Sequence, residues 1–261
     1  MSISEQYTKE IRQQWDYSAT WLPNETVELG VVGSLKDFKF SPQTTLDDLR
    51  INMGRTEPCA AKSDYYYQSK NGVSVTAKAS GDAKIPGSNL AVSDAGFSIK
   101  FSQNKATVFR ILGCTGARII NLDPLINEIL SRYKNKQWAD DRVVVIEVVK
   151  ASSGTILVSK SSNTQVDLAA TVKVDMGPLD LANAKAEFNI EKSQDLAFYC
   201  IAQNGLTPLF KALGIKKSIM GKPTIQERIK IRGPGTASGK PEQRKEPQIG
   251  SVDYKDFAKN A

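Results

Sequence analysis

The stretch "QVDLAATVKVD" (165–175) alternates strictly. Val166, Leu168, Ala170, Val172 and Val174 fall on one side of an extended chain; Asp167, Ala169, Thr171, Lys173 and Asp175 fall on the other. A period of two residues marks a strand with one apolar and one wetted face. What the apolar face meets decides the fold. It is either the core of a soluble domain or, after a rearrangement, lipid.

The same code recurs along the chain. Val73, Val75, Ala77 and Ala79 alternate with Ser74, Thr76, Lys78 and Ser80, after an Asn71-Gly72 pair that reads as a hairpin turn. Phe97, Ile99 and Phe101 alternate with Ser98, Lys100 and Ser102; "SQNK" (102–105) reads as a turn and "ATVFRIL" (106–112) as the returning strand. Ala184, Ala186, Phe188 and Ile190 alternate with Lys185, Glu187, Asn189 and Glu191. "RVVVIEVVKA" (142–151), apolar on both faces, reads as a central strand, with "SSGTILVSKS" as its hairpin partner across Ser153-Gly154. "DLAFYCIA" reads as a buried strand, and Val27, Leu29 and Val31 as part of another, with Gly30 and Gly33 marking a bulge or a close backbone approach.

Helical periodicity appears in three places. Ile3, Tyr7, Ile11 and Trp15 repeat every four residues, with Ser4 as the expected cap and Lys9 and Arg12 off the stripe. Leu122, Leu125, Ile126, Ile129, Leu130 and Tyr133 form a second stripe behind Asp123 as N-cap and Pro124 at the first helical position. "TPLFKALGIKK" (207–217) reads as a short helix capped by Thr207, and "TTLDDLRI" (44–51) as a single helical turn.

The composition narrows the chemistry. There is no histidine, which removes Ser–His–Asp and Cys–His catalysis and His-ligated zinc. Cys59, Cys114 and Cys200 lie far apart, so they form neither a disulfide framework nor a CxxC metal site. "GPGTASGKP" (233–241) has the wrong spacing for a phosphate loop, "CTGAR" (114–118) is too short for a phosphatase loop and reads as a turn, and Asp47-Asp48 and Asp140-Asp141 read as solvated turns. No enzymatic motif survives, and no cofactor is expected. The polar start and the lack of a 20-residue apolar run lead to the expectation of a cytoplasmic resting state.

Charge is unevenly placed. Lys211–Ala261 hold 12 Lys and Arg against 5 Asp and Glu, a surplus equal to the whole net charge of +7. A basic tail on a neutral body fits an anionic partner. Two units are expected: a body over 1–220 and a basic, flexible tail over 221–261. The fold class is α+β, a twisted antiparallel sheet with long amphipathic hairpins and a few helices. The alternation alone favours an ordinary soluble sheet packed on its helices, since it reports only that one side is apolar.

The order of parts resembles the pore-forming domain of the gasdermin family, nearest to its compact fungal regulators of cell death and its bacterial members. The similar segments are "SEQYTKEIRQQW", "ELGVVGSLKDFKF", the strands in 72–112, the helix 122–134, "RVVVIEVVKASSGTILVSKS", the strands in 165–192 and "DLAFYCIA", over residues 1 to 215. The chain departs from the family in having no cysteine near its N-terminus, and no large C-terminal inhibitory domain is expected. The resemblance implies a latent protein that binds acidic phospholipid, assembles as a homo- or hetero-oligomer and inserts β-hairpins at the plasma membrane, causing cell death. A protease or a partner allele would be the trigger. It carries lipid binding onto Lys9 and Arg12 of the first helix, and onto Lys36 and Lys39 of the next loop; charge alone adds Lys216 and Lys217. The inserting strands would present Val73, Val75, Phe97, Ile99, Phe101, Val166, Leu168, Val172, Phe188 and Ile190 to lipid. The rival expectation is a soluble protein that uses its basic tail on nucleic acid or a protein partner. Against nucleic acid, the tail offers only Tyr254 and Phe257 for base stacking, and no recognition module is visible.

Overall fold

The computed structural model describes residues 1–78, 96–170, 181, 188–216 and 248–252. The elements in chain order are α1 (Ile3–Trp15), β1 (Ser18–Ala19), β2 (Val31–Lys36), β3 (Lys39–Thr45), β4 (Thr56–Gln68), β5 (Val73–Lys78), β6 (Gly96–Phe101), β7 (Thr107–Ile119), α2 (Asp123–Lys134), β8 (Arg142–Ser159), β9 (Gln165–Ala170), β10 (Phe188–Gln194), β11 (Leu196–Lys216) and β12 (Gln248–Val252). The class is α+β, and every strand pairing is antiparallel.

β8 is the axis of the larger sheet. β11 lies along one side of it, and β7 and then β2 along the other, with β4 beyond β7 and β3 beyond β2. The outer side of β11 takes β1 at Leu209–Phe210 and β12 at Ala212–Lys216. The smaller sheet has the order β10-β9-β6-β5. The lateral order β11-β8-β7-β4 of the first sheet therefore continues as β10-β9-β6-β5 in the second. Four short connections join them in that order: Asp195, residues 160–164, 102–106 and 69–72. Four strands run through both sheets, folded along one line.

Burial explains the fold at that line. Phe97, Ile99, Phe101, Val166, Leu168 and Phe188 of the small sheet are at most 2% exposed and pack on Val108 and Leu157 of the large one. Burying a side chain of this size contributes about 1.5–3 kcal/mol, so the interface is a main source of stability. The opposite face of β7 and β8 turns Phe109, Ile111, Ile156 and Val158 toward Tyr7 and Ile11 of α1. Farther along β8, Val144 and Ile146 face Leu125 and Ile129 of α2, while Val143 and Val145 pack with Leu35 and Phe40 of the β2–β3 hairpin.

Several sequence expectations need correction. Ser2, not Ser4, caps α1; its hydroxyl accepts from the Glu5 amide in a capping box, and Ser4 is buried inside the helix. Leu122 holds the N-cap position of α2, and Asp123 is already helical. Neither Asn71-Gly72 nor "SQNK" closes a hairpin between its flanking strands. Each carries the chain from one sheet to the other, since β4 pairs β7 while β5 pairs β6. Ser153-Gly154 lies inside β8 instead of turning. Gly154 is opposite Ile111 and Ala202, and the Leu206 side chain fills the space beside it. "CTGAR" is strand, just past Gly113, whose φ of +58° accommodates an irregularity in β7. "TPLFKALGIKK" is strand through Lys216: pairing with β8 on one side and β12 on the other overrides its helical spacing, and Pro208 falls at a register shift, where its missing amide is tolerated. "DLAFYCIA" is only half buried, with Tyr199 60% exposed. Val27 and Leu29 precede the strand, which begins at Val31.

"TTLDDLRI" is a turn only over 46–50 and is not helical; Thr44 and Thr45 end β3, and the Asp48 carboxylate accepts from the Thr45 amide at 3.0 Å. The reading of Gly33 holds. Gly33 sits at a register shift where a Cβ would lie 2.2 Å from the Ser41 carbonyl oxygen. Within the expected tail, Gln248–Val252 is a strand paired to β11, with Val252 1% exposed; residues 221–247 and 253–261 lie outside the described residues.

Phe109 is the keystone of the α1 face, its ring 5.3 Å from Trp15 and 6.4 Å from Tyr7. Phe109→Ala is expected to cost about 3–5 kcal/mol. Tyr199→Ser, at an exposed position, is expected to change stability by less than about 0.5 kcal/mol. Urea unfolding followed by tryptophan fluorescence distinguishes the two.

Candidate functional site

α1 is amphipathic because its apolar residues fall on one face. Tyr7 and Ile11 are fully buried, and Trp15 packs edge-on against Tyr65 with centroids 5.3 Å apart. The outward residues are polar. Lys9 Nζ lies 2.6 Å from Glu5 Oε1 and 5.6 Å from the centre of the Phe38 ring. Phe38 and Asp37 form the tip of the β2–β3 hairpin, with φ values of 60° and 50°. Such a two-residue turn needs positive φ at both positions to match the twist of its strands. Phe38 is half buried, between the exposed Lys36 and Lys39, which are directly opposite in register. The fold thus sets Lys9 over the Phe38 ring at a hairpin tip that Lys36 and Lys39 flank. Arg12, one turn along α1, is held by Asp16 at the helix end, Nη2 to Oδ1 3.0 Å. Lys216 lies elsewhere, half buried on β11 opposite Gln248. Lys217 is outside the described residues.

The strand residues named from alternation form one surface. Phe97, Ile99, Phe101, Val166, Leu168 and Phe188 are buried, while Val73, Val75 and Ile190 are half buried, and all pack toward the large sheet. Phe97 and Phe188 meet edge to face at 5.3 Å. Their alternates Ser74, Thr76, Lys100, Asn189 and Glu191 are exposed. Val172 lies outside the described residues. In this state the apolar face of 165–170 meets protein.

Alternation did not identify Arg110. It shares the buried side of β7 with Val108, is 2% exposed, and carries its guanidinium 5.3 Å from the centre of the Phe188 ring. Burial lowers its pKa, opposed by the charge of Asp64. A cation over an aromatic face inside an apolar layer is costly to desolvate and gains from the ring. The only signal in the sequence was an arginine at an apolar beat of "ATVFRIL".

A second polar feature crosses the large sheet. Lys211, Glu147, Arg118 and Glu57 are directly opposite one another on β11, β8, β7 and β4. Their charges alternate along the row. Lys211 Nζ lies 3.1 Å from Glu147 Oε2, and Arg118 Nε donates to Glu57 Oε1 at 2.8 Å. Tyr17 donates to Glu147 Oε1, and its ring sits 4.5 Å under Lys211 Nζ. Burial, then the Glu147 carboxylate, raise the Tyr17 phenol pKa. Burial likewise raises Cys59 and Cys200, and pushes Cys114 up to about 12. These shifts disfavour thiolate at neutral pH and suit small core residues. Among the described residues no group of three or more His, Cys, Asp or Glu is placed to hold a metal ion.

Three buried hydroxyls brace the fold line: Ser69 and Thr164 in their own connections, and Ser159 at the end of β8. The Ser69 hydroxyl accepts from the Thr107 amide at 2.8 Å and donates to Glu10 Oε2 at 2.7 Å. The Ser159 hydroxyl accepts from the Ala106 amide at 2.9 Å and donates to the Gln103 carbonyl at 2.7 Å. The Thr164 hydroxyl donates to the Asp195 carbonyl at 2.8 Å.

No family model matches the chain, and no curated protein matches it. No described helix is long and apolar enough to cross a membrane, which leaves strands unaddressed.

The charged row makes a stability prediction. Tyr17→Phe removes a part-buried donor to a carboxylate, and is expected to cost about 1.5–3 kcal/mol in urea unfolding. A change below about 0.5 kcal/mol would mean that Glu147 is satisfied by Lys211 alone.

Proposed function

We propose that the chain is a latent membrane-permeabilising protein of gasdermin-like design, resting in the cytoplasm and acting at the plasma membrane. One observation carries this reading: four strands run in the same lateral order through two sheets and fold along one line. Straightening the four connections joins β4 to β5, β6 to β7, β8 to β9 and β10 to β11. Each joined strand exceeds the roughly 9–11 residues that a spanning strand needs. Phe97, Ile99, Phe101, Val166, Leu168 and Phe188 then exchange the large sheet for lipid. Ser74, Thr76, Lys100 and Glu191 line water, which is the alternation of a membrane barrel. The outer edges of β5 and β10 have no strand beside them among the described residues. Unpaired amides cost several kcal/mol each in lipid, so copies insert side by side, as an oligomer.

The first contact is electrostatic. Lys9, Lys36 and Lys39 meet acidic headgroups, at about 1 kcal/mol per charge, and Phe38 has the amphipathic setting of an interfacial aromatic. This mechanism uses no catalytic group and no cofactor. The trigger is a protease or a partner protein. The rival reading keeps the protein soluble and binds an anionic partner through the surplus charge of 211–261.

Dye release from liposomes with and without acidic lipid tests the proposal, using the full chain and a chain ending near Met220. Leakage that requires acidic lipid is the expected result; none from either chain at high concentration contradicts it. The triple variant K9Q/K36Q/K39Q is expected to bind acidic vesicles about 100-fold more weakly with its unfolding midpoint unchanged. Unchanged vesicle binding removes the three lysines from the site. Tail-dependent DNA binding with a steep salt slope, in place of leakage, favours the rival.

A further inference from the structure

Helix α1 touches the fold line at two places. Glu10 Oε2 accepts from the Ser69 hydroxyl at 2.7 Å, and Ser69 is 4% exposed. Ser69 is where β4 leaves the large sheet: its amide donates to the Thr107 carbonyl at 2.9 Å, and its hydroxyl accepts the Thr107 amide at 2.8 Å. One turn N-terminal to Glu10, Gln6 Nε2 donates to the other carboxylate oxygen at 2.6 Å and orients it. At the start of the helix, the Met1 carbonyl accepts from Lys105 Nζ at 2.5 Å, and Lys105 lies in the next connection, 102–106. Tyr67, two residues before Ser69, lies near the same carboxylate: burial and then the Glu10 charge push its phenol up to about 12. The β4–β5 and β6–β7 connections are thus both tied to α1, and these two strands carry Val73, Val75, Phe97, Ile99 and Phe101.

We infer that α1 is a clasp on the fold line, with Glu10 on Ser69 as its catch, so that lifting the helix frees the β5–β6 arm to swing away from the large sheet. The purpose of the clasp rests on the pore-forming reading; its mechanics do not. The same helix carries Lys9 beside Phe38. A lipid surface that draws Lys9 and the β2–β3 tip outward competes with the catch, because adjacent residues of one rigid helix move together. Binding then shifts an existing opening equilibrium by its differential affinity for the lifted state.

The test compares Glu10→Ala, Ser69→Ala and the double variant by hydrogen–deuterium exchange of the full chain. Glu5→Gln, which keeps the capping box but not the Lys9 ion pair, is the control. Exchange in 69–78 and 96–107 is expected to rise about tenfold in Glu10→Ala, the loss expected for one hydrogen bond to a charged group, and by more in Ser69→Ala, which also takes the hydroxyl acceptor from the buried Thr107 amide. The double variant is expected to match Ser69→Ala, because once the hydroxyl is gone the Glu10 change removes no further bond at the fold line. β2, β3 and the Glu5→Gln control stay unchanged. The protein concentration for half-maximal leakage falls by a similar factor. Unaltered exchange in Glu10→Ala, or fully additive effects in the double variant, overturns the clasp. Faster exchange with no leakage from acidic vesicles by any variant keeps the clasp and removes the pore-forming reading.

Discussion

The apolar contact between the two sheets is the constraint on which the rest of the structure depends. Phe97 on Phe188, with Val166 and Leu168 over Leu157 and Val108, buries a row of side chains that alternation places on one face of four separate strands. Without that contact, β5, β6, β9 and β10 form a thin sheet with one apolar side in water, a face that must be buried against another element. With it, each of the four long strands must bend. The bends expose backbone groups, and buried hydroxyls meet them: Ser69, Ser159 and Thr164 stand where a straight strand would have used a neighbouring amide or carbonyl. The interface and the fold line are one device, since a strand that does not bend cannot cover itself.

Around this device the molecule is arranged asymmetrically. The face of β7 opposite the small sheet is covered by α1, whose aromatic residues interlock with Tyr65, Tyr67 and Phe109. The far end is held by α2, the β2–β3 hairpin and β12, which together bury Val143 to Ile146 and the end of β11. The charged row Lys211–Glu147–Arg118–Glu57 ties β11, β8, β7 and β4 together in between. One end is thus held by packing and the other by hydrogen-bonded bends, and the small sheet beyond those bends holds the residues proposed to meet lipid.

Much of this was legible in the sequence. Period-two alternation identified the strands around 73–78, 96–101, 165–170 and 188–194, and helical spacing identified α1 and α2. What misled was punctuation. Asn71-Gly72 and "SQNK" carry turn residues, yet they carry the chain between layers, because a turn signal states that the chain changes direction and not which strand it joins. Ser153-Gly154 looks like a turn but continues β8, because Leu206 and Ile111 fill the space beside the glycine. Residues 207–216 have helical spacing and a capping threonine, but the β11 backbone is claimed from both sides. Of the candidate site, the choice of Lys9, Lys36 and Lys39 followed from the resemblance, but the contact of Lys9 with the Phe38 ring did not. Neither did Arg110, Glu10 and Ser69, since a single polar residue in an alternating strand carries no mark of the partner it meets in three dimensions.

The central claim is that one apolar face has two homes, the large sheet at rest and lipid when active. The most direct measurement places an environment-sensitive fluorophore on single cysteines at positions 73 through 76, in a chain with Cys59, Cys114 and Cys200 replaced, and follows its emission and its quenching by nitroxide-labelled lipid. With acidic vesicles, the account predicts that positions 73 and 75 become quenched by lipid while 74 and 76 remain in water, the two-residue alternation now reporting bilayer instead of core. Quenching that is absent, or equal at all four positions while the protein is bound to the vesicles, contradicts it.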